Sequence, residues 1–387
     1  MRSTSHATLA PDRAADIVVV SIAARGLVAA ARRAGLCPIA LDLFGDEDTR
    51  KLATKAIVVR RRGGLAFDPD DLLAKLGLHA GRLPIVLGTG FEHELGLAEQ
   101  IGERFQLVGN SLETLGVLKE PVAFAAMLAD LDIPHPRVFT GPAPAGIRAL
   151  EKRVGGSGGW HVKPATKPRG EGWYLQEMVE GRSVSALFLG DGLRARVLAF
   201  SEQWCAPTKE SPYRYRGAAG PIEIASDITT QIAAALDGIV GASDLKGLAS
   251  ADIIMTANGW SLLEINPRPG ASLDVFDHPP MPPLFRLHLD ACHGQLPDVA
   301  AVQLEGRAAA ILYAPAAFTM RFDPLPIWVA DRPSPGARFQ LGDPICTVLG
   351  SGEDAAAARL QINQRTEWLW RALQSADEPQ SLRGTTS

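Results

Sequence analysis

Short apolar runs alternate with helix-patterned stretches over the first part of the chain. Residues 17–22 predict a strand; residues 25–34 place apolar positions at helical spacing and stop at Gly35. Residues 38–43, 56–59 and 84–87 predict further strands, and 106–108 a short fifth. Strands alternating with helices argue for an α/β unit with a parallel sheet covered on both faces. Residues 112–131 read as one helix with Lys119 in its midst, ended by Pro134 and Pro136. Residues 140–146 read as a linker, 173–189 as two strands around Glu180-Gly181, and 228–240 as a helix. Beyond a proline cluster at 279–283 come a short helix near 284–289 and strands at 308–313, 327–329, 337–340 and 344–349. An amphipathic helix from 355 to about 373 closes the pattern, and the polar end is expected to fray.

Residues 251–271, ADIIMTANGWSLLEINPRPGA, organise the rest. Two apolar runs flank Ala257-Asn258-Gly259, and a three-residue hairpin loop wants a left-handed glycine at its last position. That loop pairs Thr256 with Trp260 and, counting back, Asp252 with Glu264. Alternation then puts Asn266 on the face of Glu264, so Asp252, Glu264 and Asn266 converge. A two-residue turn at Asn258-Gly259 would slip the register and flip one strand's side chains. Two carboxylates and an amide oxygen are hard ligands, suited to Mg²⁺ beside substrate phosphates. Arg268, between Pro267 and Pro269, leaves a stiff support next to them. An ordinary hairpin with a wet polar face explains alternation, but not Glu264-Ile265-Asn266-Pro267-Arg268 opposite an acid.

Other chemistry is local. Residues 42–50 and the run Gly88-Thr89-Gly90-Phe91-Glu92 fall at the carboxyl ends of expected strands, where ligands bind in such sheets. Each is either a ligand contact, with Glu92 meeting a substrate cation, or a tight turn with a capping acid. Gly88-Thr89-Gly90 lacks the third glycine of a dinucleotide fingerprint. Lys152 precedes Gly155, Gly156, Ser157, Gly158 and Gly159, a loop able to lay backbone N–H groups on a phosphate. No Gly-Lys-Ser/Thr follows, so it is not a Walker loop. The basic, aromatic segment holding Lys209, Tyr213, Arg214, Tyr215 and Arg216 is either a receiver for an anionic co-substrate or a solvated hairpin tip.

Composition narrows the classes. The 387 residues suffice for two or three domains, and a net charge of −4 gives no basic excess for nucleic acid. Four scattered cysteines have neither zinc spacing nor a disulfide framework, which points to a reducing cytoplasm. The amino-terminal residues lack a signal-peptide core, and the first apolar run is too short to span a bilayer.

The hairpin resembles the metal-binding segment of the ATP-grasp superfamily, enzymes that join a carboxylate to an amine, thiol or other nucleophile through an acyl phosphate. The resemblance implies that Asp252, Glu264 and Asn266 bind Mg²⁺ (or Mn²⁺) and that Arg268 stabilises phosphoryl transfer. Residues 119–136, KEPVAFAAMLADLDIPHP, resemble the segment of the first ATP lysine, implying that role for Lys119, although Leu118 stands where an acid is usual. Residues 173–189 resemble the adenine hinge, so Gln176, Glu177, Met178 and Val179 are expected to line the nucleotide cleft and Lys152, in preference to Lys163, to reach the phosphates. Ser183 stands where many relatives carry a ribose-binding glutamate. Residues 343–348 with the helix behind them look like the last lobe of biotin carboxylases.

The implied fold is a pre-ATP-grasp Rossmann-like parallel sheet over 1–112, a two-lobed ATP-grasp domain over 113–298, and a small β-rich lobe over 299–374, with 375–387 a tail. The chain looks like predicted carboligases related to biotin carboxylase and, more distantly, the ligase that adds glutamate to tyramine in methanofuran synthesis. The implied activity is an ATP-dependent ligase acting on a small carboxylic acid and an amine (or thiol). No nucleic acid or membrane partner is implied, and a homodimer is allowed. Two rivals share the fold: a carboxylase using bicarbonate and a biotinylated carrier, and a non-catalytic ATP sensor.

Overall fold

The structure, a computed structural model, describes residues 14–298, 305–321 and 324–377. The first part is built from β1 (Ile17–Val20), α1 (Arg25–Arg33), β2 (Pro38–Asp42), α2 (Glu47–Leu52), β3 (Lys55–Val58), a small hairpin of β4 (Arg61–Gly63) and β5 (Ala66–Phe67), α3 (Pro69–His79), β6 (Ile85–Leu87) and α4 (Leu95–Arg104). Four strands form a parallel sheet in the order β3-β2-β1-β6. The Ile17-Val-Val-Val run is buried on both faces, as helices on either side of a parallel sheet require. The expected fifth strand is a single parallel bridge from Ile85 to Leu107. Strand order reverses at β1 and β6, so the open crevice lies beyond their carboxyl ends, at Ser21 and the turn carrying Glu92.

Residues 42–50 serve the fold. Asp42 accepts from the N–H groups of Phe44 and Gly45 (3.3 and 2.8 Å), and Asp46 caps α2 through Thr49 N (2.8 Å). Asp48 accepts from the N–H groups of Asp331 and Arg332 (2.9 and 2.7 Å), tying this part to the last third of the chain. Arg25 strengthens that tie: its guanidinium grips both Asp274 (Nη2, 2.7 Å) and Asp331 (Nε, 3.0 Å).

Residues 112–131 form two helices rather than one, α5 (Leu112–Lys119) and α6 (Pro121–Asp130). Pro121 has no N–H to continue α5, yet suits the first position of a new helix. Glu120 caps it, its Oε2 accepting from Ala123 N (2.5 Å). Lys119 therefore ends a helix instead of sitting in the middle of one.

A four-stranded antiparallel sheet follows, with β7 (Val138–Phe139), β8 (Ala149–Arg153), β9 (Lys163–Pro164) and β10 (Trp173–Glu177) in the order β7-β10-β8-β9. The chain then builds β11 (Arg182–Asp191), β12 (Ala195–Cys205), β13 (Tyr215–Gly220), α7 (Ser226–Ser243), β14 (Lys246–Thr256), β15 (Gly259–Asn266), α8 (Leu273–Phe276) and α9 (Leu284–Cys292). It ends with β16 (Gly306–Tyr313), β17 (Phe318–Thr319), β18 (Val329–Ala330), β19 (Arg338–Phe339), β20 (Pro344–Gly352) and α10 (Ala355–Asp377). Eight of these strands make one antiparallel sheet, β15-β14-β11-β12-β13-β16-β20-β18. The strands after residue 305 thus extend the sheet that carries the 251–271 hairpin, joined where Ala218 pairs with Ala309.

Alternation along β11 sorts the core. Val184, Ala186 and Phe188 pack with Ile232, Leu236 and Ile239 of α7; Leu187 and Leu189 face Phe276 and Phe285 on the other side. At the far end Ala308, Ala310 and Leu312 pack under Ile362 and Leu369 of α10. That helix runs on to Asp377; the remainder of the expected tail, 378–387, lies outside the described residues. No helix among the described residues is long and apolar enough to cross a membrane.

Candidate functional site

The hairpin reaches the expected convergence by an unexpected route. Its loop has two residues, Ala257-Asn258, so Thr256 pairs with Gly259 and Met255 with Trp260. That register alone would turn Glu264 away from Asp252. A bulge restores it: Ile253 pairs with Leu262 but Asp252 with Glu264, leaving Leu263 as the extra residue. Gly259 has φ +143°, a backbone that L side chains rarely adopt, which is why glycine sits there.

Asn266 Nδ2 donates to Asp252 Oδ2 (3.2 Å) and Glu264 Oε1 (3.4 Å), and its Oδ1 accepts from Lys119 Nζ (3.2 Å). Asp252 Oδ1 also accepts from Ser185 Oγ (3.0 Å) and Gln203 Nε2 (3.1 Å). Burial and the facing Glu264 push Asp252 above the usual carboxylate range. Burial resists the charge of Glu264 too, but Lys119 and Lys152 hold it below the usual carboxylate range. Lys152 is itself buried; desolvation lowers its pKa against the opposing pull of Glu264 and Asp252. The four side chains and Asn266 thus form one buried electrostatic unit. No group of three His, Cys, Asp or Glu side chains suited to a metal occurs among the described residues. Two carboxylates and one amide remain a good match for Mg²⁺, which takes few protein ligands and completes its shell with water and phosphate oxygens.

Arg268 is held from across the molecule. Its Nε donates to Glu92 Oε1 (2.6 Å), while Glu92 Oε2 accepts from the N–H groups of Gly90 and Phe91 (3.0 and 3.1 Å). Burial opposes the Glu92 charge, yet Arg268 and Lys119 bring it down to about 2. Glu92 is therefore the arginine's partner rather than a receiver for a substrate cation. Asn110 fixes the same corner: Nδ2 donates to Lys246 O (3.0 Å) and Pro267 O (2.8 Å), and Oδ1 accepts from Lys246 N (2.7 Å).

The glycine loop lies over this site. A Cβ on Gly155 would come within 2.1 Å of Glu92 O, and one on Gly159 within 2.0 Å of Tyr213 O. Gly158 O accepts from Tyr215 N (2.9 Å). Beneath the loop is a cleft between the small sheet and β15, lined by Lys119, Phe124, Arg153, Gly155, Gly156, His161, Tyr174, Gln176, Leu262 and Glu264 among others. Of the four hinge residues, Gln176 lines this cleft and donates to Leu263 O (3.3 Å). Alternation turns the Glu177 side chain outward onto Arg137 (2.8 and 2.9 Å). Met178 N is taken by Arg148 O (2.8 Å), its sulfur accepts from Tyr213 Oη (3.9 Å), and Val179 follows just outside the lining. Ser157 is half-buried in the loop, and Lys163 is exposed on β9, cross-strand from Glu151 and so on the face opposite Lys152.

His161 and Tyr174 also line the cleft, and neither belongs to a motif that singles it out in the sequence. Burial lowers His161 to about 4 even with Glu264 nearby, so its ring is a neutral wall of the cleft at neutral pH. Its signal was position alone, two residues past the last glycine.

Residues 122–272 match the model of the ATP-grasp domain. Comparison with curated protein sequences found no match. Among solved structures the chain resembles a pyruvate carboxylase from Rhizobium etli at TM-score 0.68 and 16% identity, over 93% of this chain and 37% of that one. The biotin carboxylase domain of the 2-oxoglutarate carboxylase from Hydrogenobacter thermophilus, solved with MgADP, ADP and bicarbonate, gives TM-score 0.68 and 13% identity over 94% of this chain and 91% of that domain. The N5-carboxyaminoimidazole ribonucleotide synthetase from Thermus thermophilus gives 0.64 and 16%, over 92% and 98%. Identities this low speak for the fold alone. Residues 122–272 thus carry an ATP-grasp domain, set in a fold that the chain shares with the biotin carboxylases.

Proposed function

We propose that the protein is an ATP-dependent ligase that activates a carboxylic acid as an acyl phosphate and passes it to an amine. The observation that carries this is the cluster of Lys119, Lys152 and Arg268 around Asp252, Glu264 and Asn266 beneath a glycine loop. A carboxylate attacking a terminal phosphate brings two anions together, and that repulsion is the main barrier to remove. Lys119, which lines the cleft, and Lys152, buried near Glu264, supply fixed positive charge there. Arg268, oriented by Glu92 and stiffened by its prolines, presents the rest of its guanidinium to the transferring group. Asp252, Glu264 and Asn266 would hold Mg²⁺, which when bound neutralises phosphate charge and aligns the reacting oxygens. The loop from Gly155 to Gly159 covers the site and keeps water from the acyl phosphate. The substrate's own carboxylate is the first nucleophile, so no serine or cysteine nucleophile is called for.

Hydroxylamine tests the reading. With ATP, Mg²⁺ and a correct acid from a panel, hydroxamate should form without any amine and vanish in Asn266→Ala. A second reading, activation of bicarbonate, is favoured by the carboxylases among the structural neighbours. ADP release driven by bicarbonate alone, with no hydroxamate from any organic acid, would establish it instead. Nucleotide binding without turnover on either would mark a sensor.

A further inference from the structure

The loop between β12 and β13 has no part in that scheme, yet it gathers three arginines. Arg214 is buried, donates from Nε to Ala206 O (3.1 Å), and lies over the rings of Tyr313 (3.8 Å to the centroid) and Trp160 (5.1 Å). Arg359, from α10, covers the Trp204 ring (4.5 Å) and pairs with Glu202, which Arg182 also holds (2.9 Å). Arg216, half-buried on β13, donates its guanidinium to no protein group among the described residues. Burial, and then the charges of Arg359 and Arg214, push its pKa below the ordinary arginine value. From β16, Tyr313 faces the cluster with a neutral phenol that donates to Tyr215 O (2.7 Å). Glu202 is already shared by two arginines. A half-buried guanidinium beside two like charges is costly unless an anion joins it.

The cluster also borders the glycine loop. Tyr215 N is the group that holds Gly158 O of the glycine loop. Trp160, just past that loop, covers one flank of Arg214 and is fixed by Ser211 Oγ on its carbonyl (2.9 Å).

We propose that Arg216, with Arg214 beside it, is an anion subsite for one of the two substrates, which therefore carries a carboxylate or phosphate apart from its reacting group. The identity of that ligand as a substrate rests on the ligase reading; the anion binding does not. The loop's closure would seat Trp160 against the occupied subsite, so that a substrate bearing the anion favours the closed form.

The test uses the full chain saturated with Mg²⁺ and a non-hydrolysable ATP analogue, so that the phosphate-binding lysines are filled. Inorganic phosphate and acetate are titrated separately by calorimetry. Saturable binding of either is expected, weakened about tenfold in Arg216→Gln, the worth of one charge-assisted hydrogen bond. Stronger phosphate than acetate binding would point to a phosphoryl group, the reverse to a carboxylate. Arg216→Gln should melt no lower than the parent without added anion, because it removes an unpaired charge; a lower melting temperature would mean a structural arginine and overturn the proposal. Equal anion affinity in parent and variant, or no saturable binding, would overturn it as well. If the analogue itself fails to bind, the ATP reading fails, and the same titrations without nucleotide still decide the subsite.

Discussion

Replacing Glu92 by glutamine probes the link between the amino-terminal sheet and Arg268. The amide oxygen can still accept from the N–H groups of Gly90 and Phe91, so the turn should persist; only the charge facing Arg268 is lost. Glu92 titrates at about 2 instead of its ordinary 4.5. A shift of that size corresponds to about 3 kcal/mol of folding stability, in line with the cost of removing one partner of a buried ion pair. A carboxyl with a depressed folded pKa contributes stability that is complete above its unfolded pKa and disappears as pH falls through its folded one. Urea unfolding of parent and Glu92→Gln at pH 7, 5 and 3 should therefore show a gap of about 3 kcal/mol at the two higher values. The gap should be narrowing by pH 3 and closing toward 2. A gap below about 1 kcal/mol at pH 7, the size of a surface pair, would refute the reasoning. So would a gap that does not change with pH.

The remaining predictions concern the site itself. Glu264→Ala should fold normally and lose Mg²⁺-dependent ADP formation; retained turnover would remove this acid from the mechanism. Asn110→Ala deletes three hydrogen bonds at the corner below Arg268, so a loss of about 3 kcal/mol by chemical denaturation is expected, and under 1 would mean that water replaces them. Gly155→Ala should lower turnover at least tenfold with the acid and nucleotide still bound, since its Cβ would strike Glu92 O; normal turnover would show that the loop works without this approach. Hydrogen exchange across residues 152–160 should slow when a non-hydrolysable ATP analogue is added, and unchanged protection would count against a phosphate role for the loop.

Much of the sheet framework could be read from apolar runs, because a parallel strand buried on both faces, such as Ile17–Val20, leaves a plain signal. The acids of the hairpin were legible through strand parity, but through two errors that cancelled. A glycine third in the turn suggested a three-residue loop, whereas the loop closes one residue earlier. The bulge at Leu263 left no trace, since an extra leucine among apolar residues looks like any other. The split between α5 and α6 was written in Glu120-Pro121, a capping acid before a proline; the strong apolar period on both sides masked it. The pairing of Arg268 with Glu92 spans 176 positions and has no local signature. The same is true of Asp48 and the backbone it holds near residue 331. Local pattern shows which side chains share a strand face, and only the packed chain shows what stands opposite.

The division of charge between the two sheets carries a mechanical consequence. Asp252 and Glu264 ride on the continuous eight-stranded sheet, whereas Lys152 rides on the separate four-stranded one. If the small sheet swings outward to admit a nucleotide, it carries one of the two cations that compensate Glu264 away from that acid. The open form is then left with an excess of negative charge at the bottom of the cleft, and nucleotide arriving with its divalent ion restores the balance. Opening becomes electrostatically uphill in the empty protein, and a cation arriving with the phosphates lowers that cost by replacing the charge that Lys152 takes away. Free ATP, which brings four negative charges and no metal, should be poorly retained. The hinge would then work as a filter for the metal complex, set by which sheet each charge is attached to.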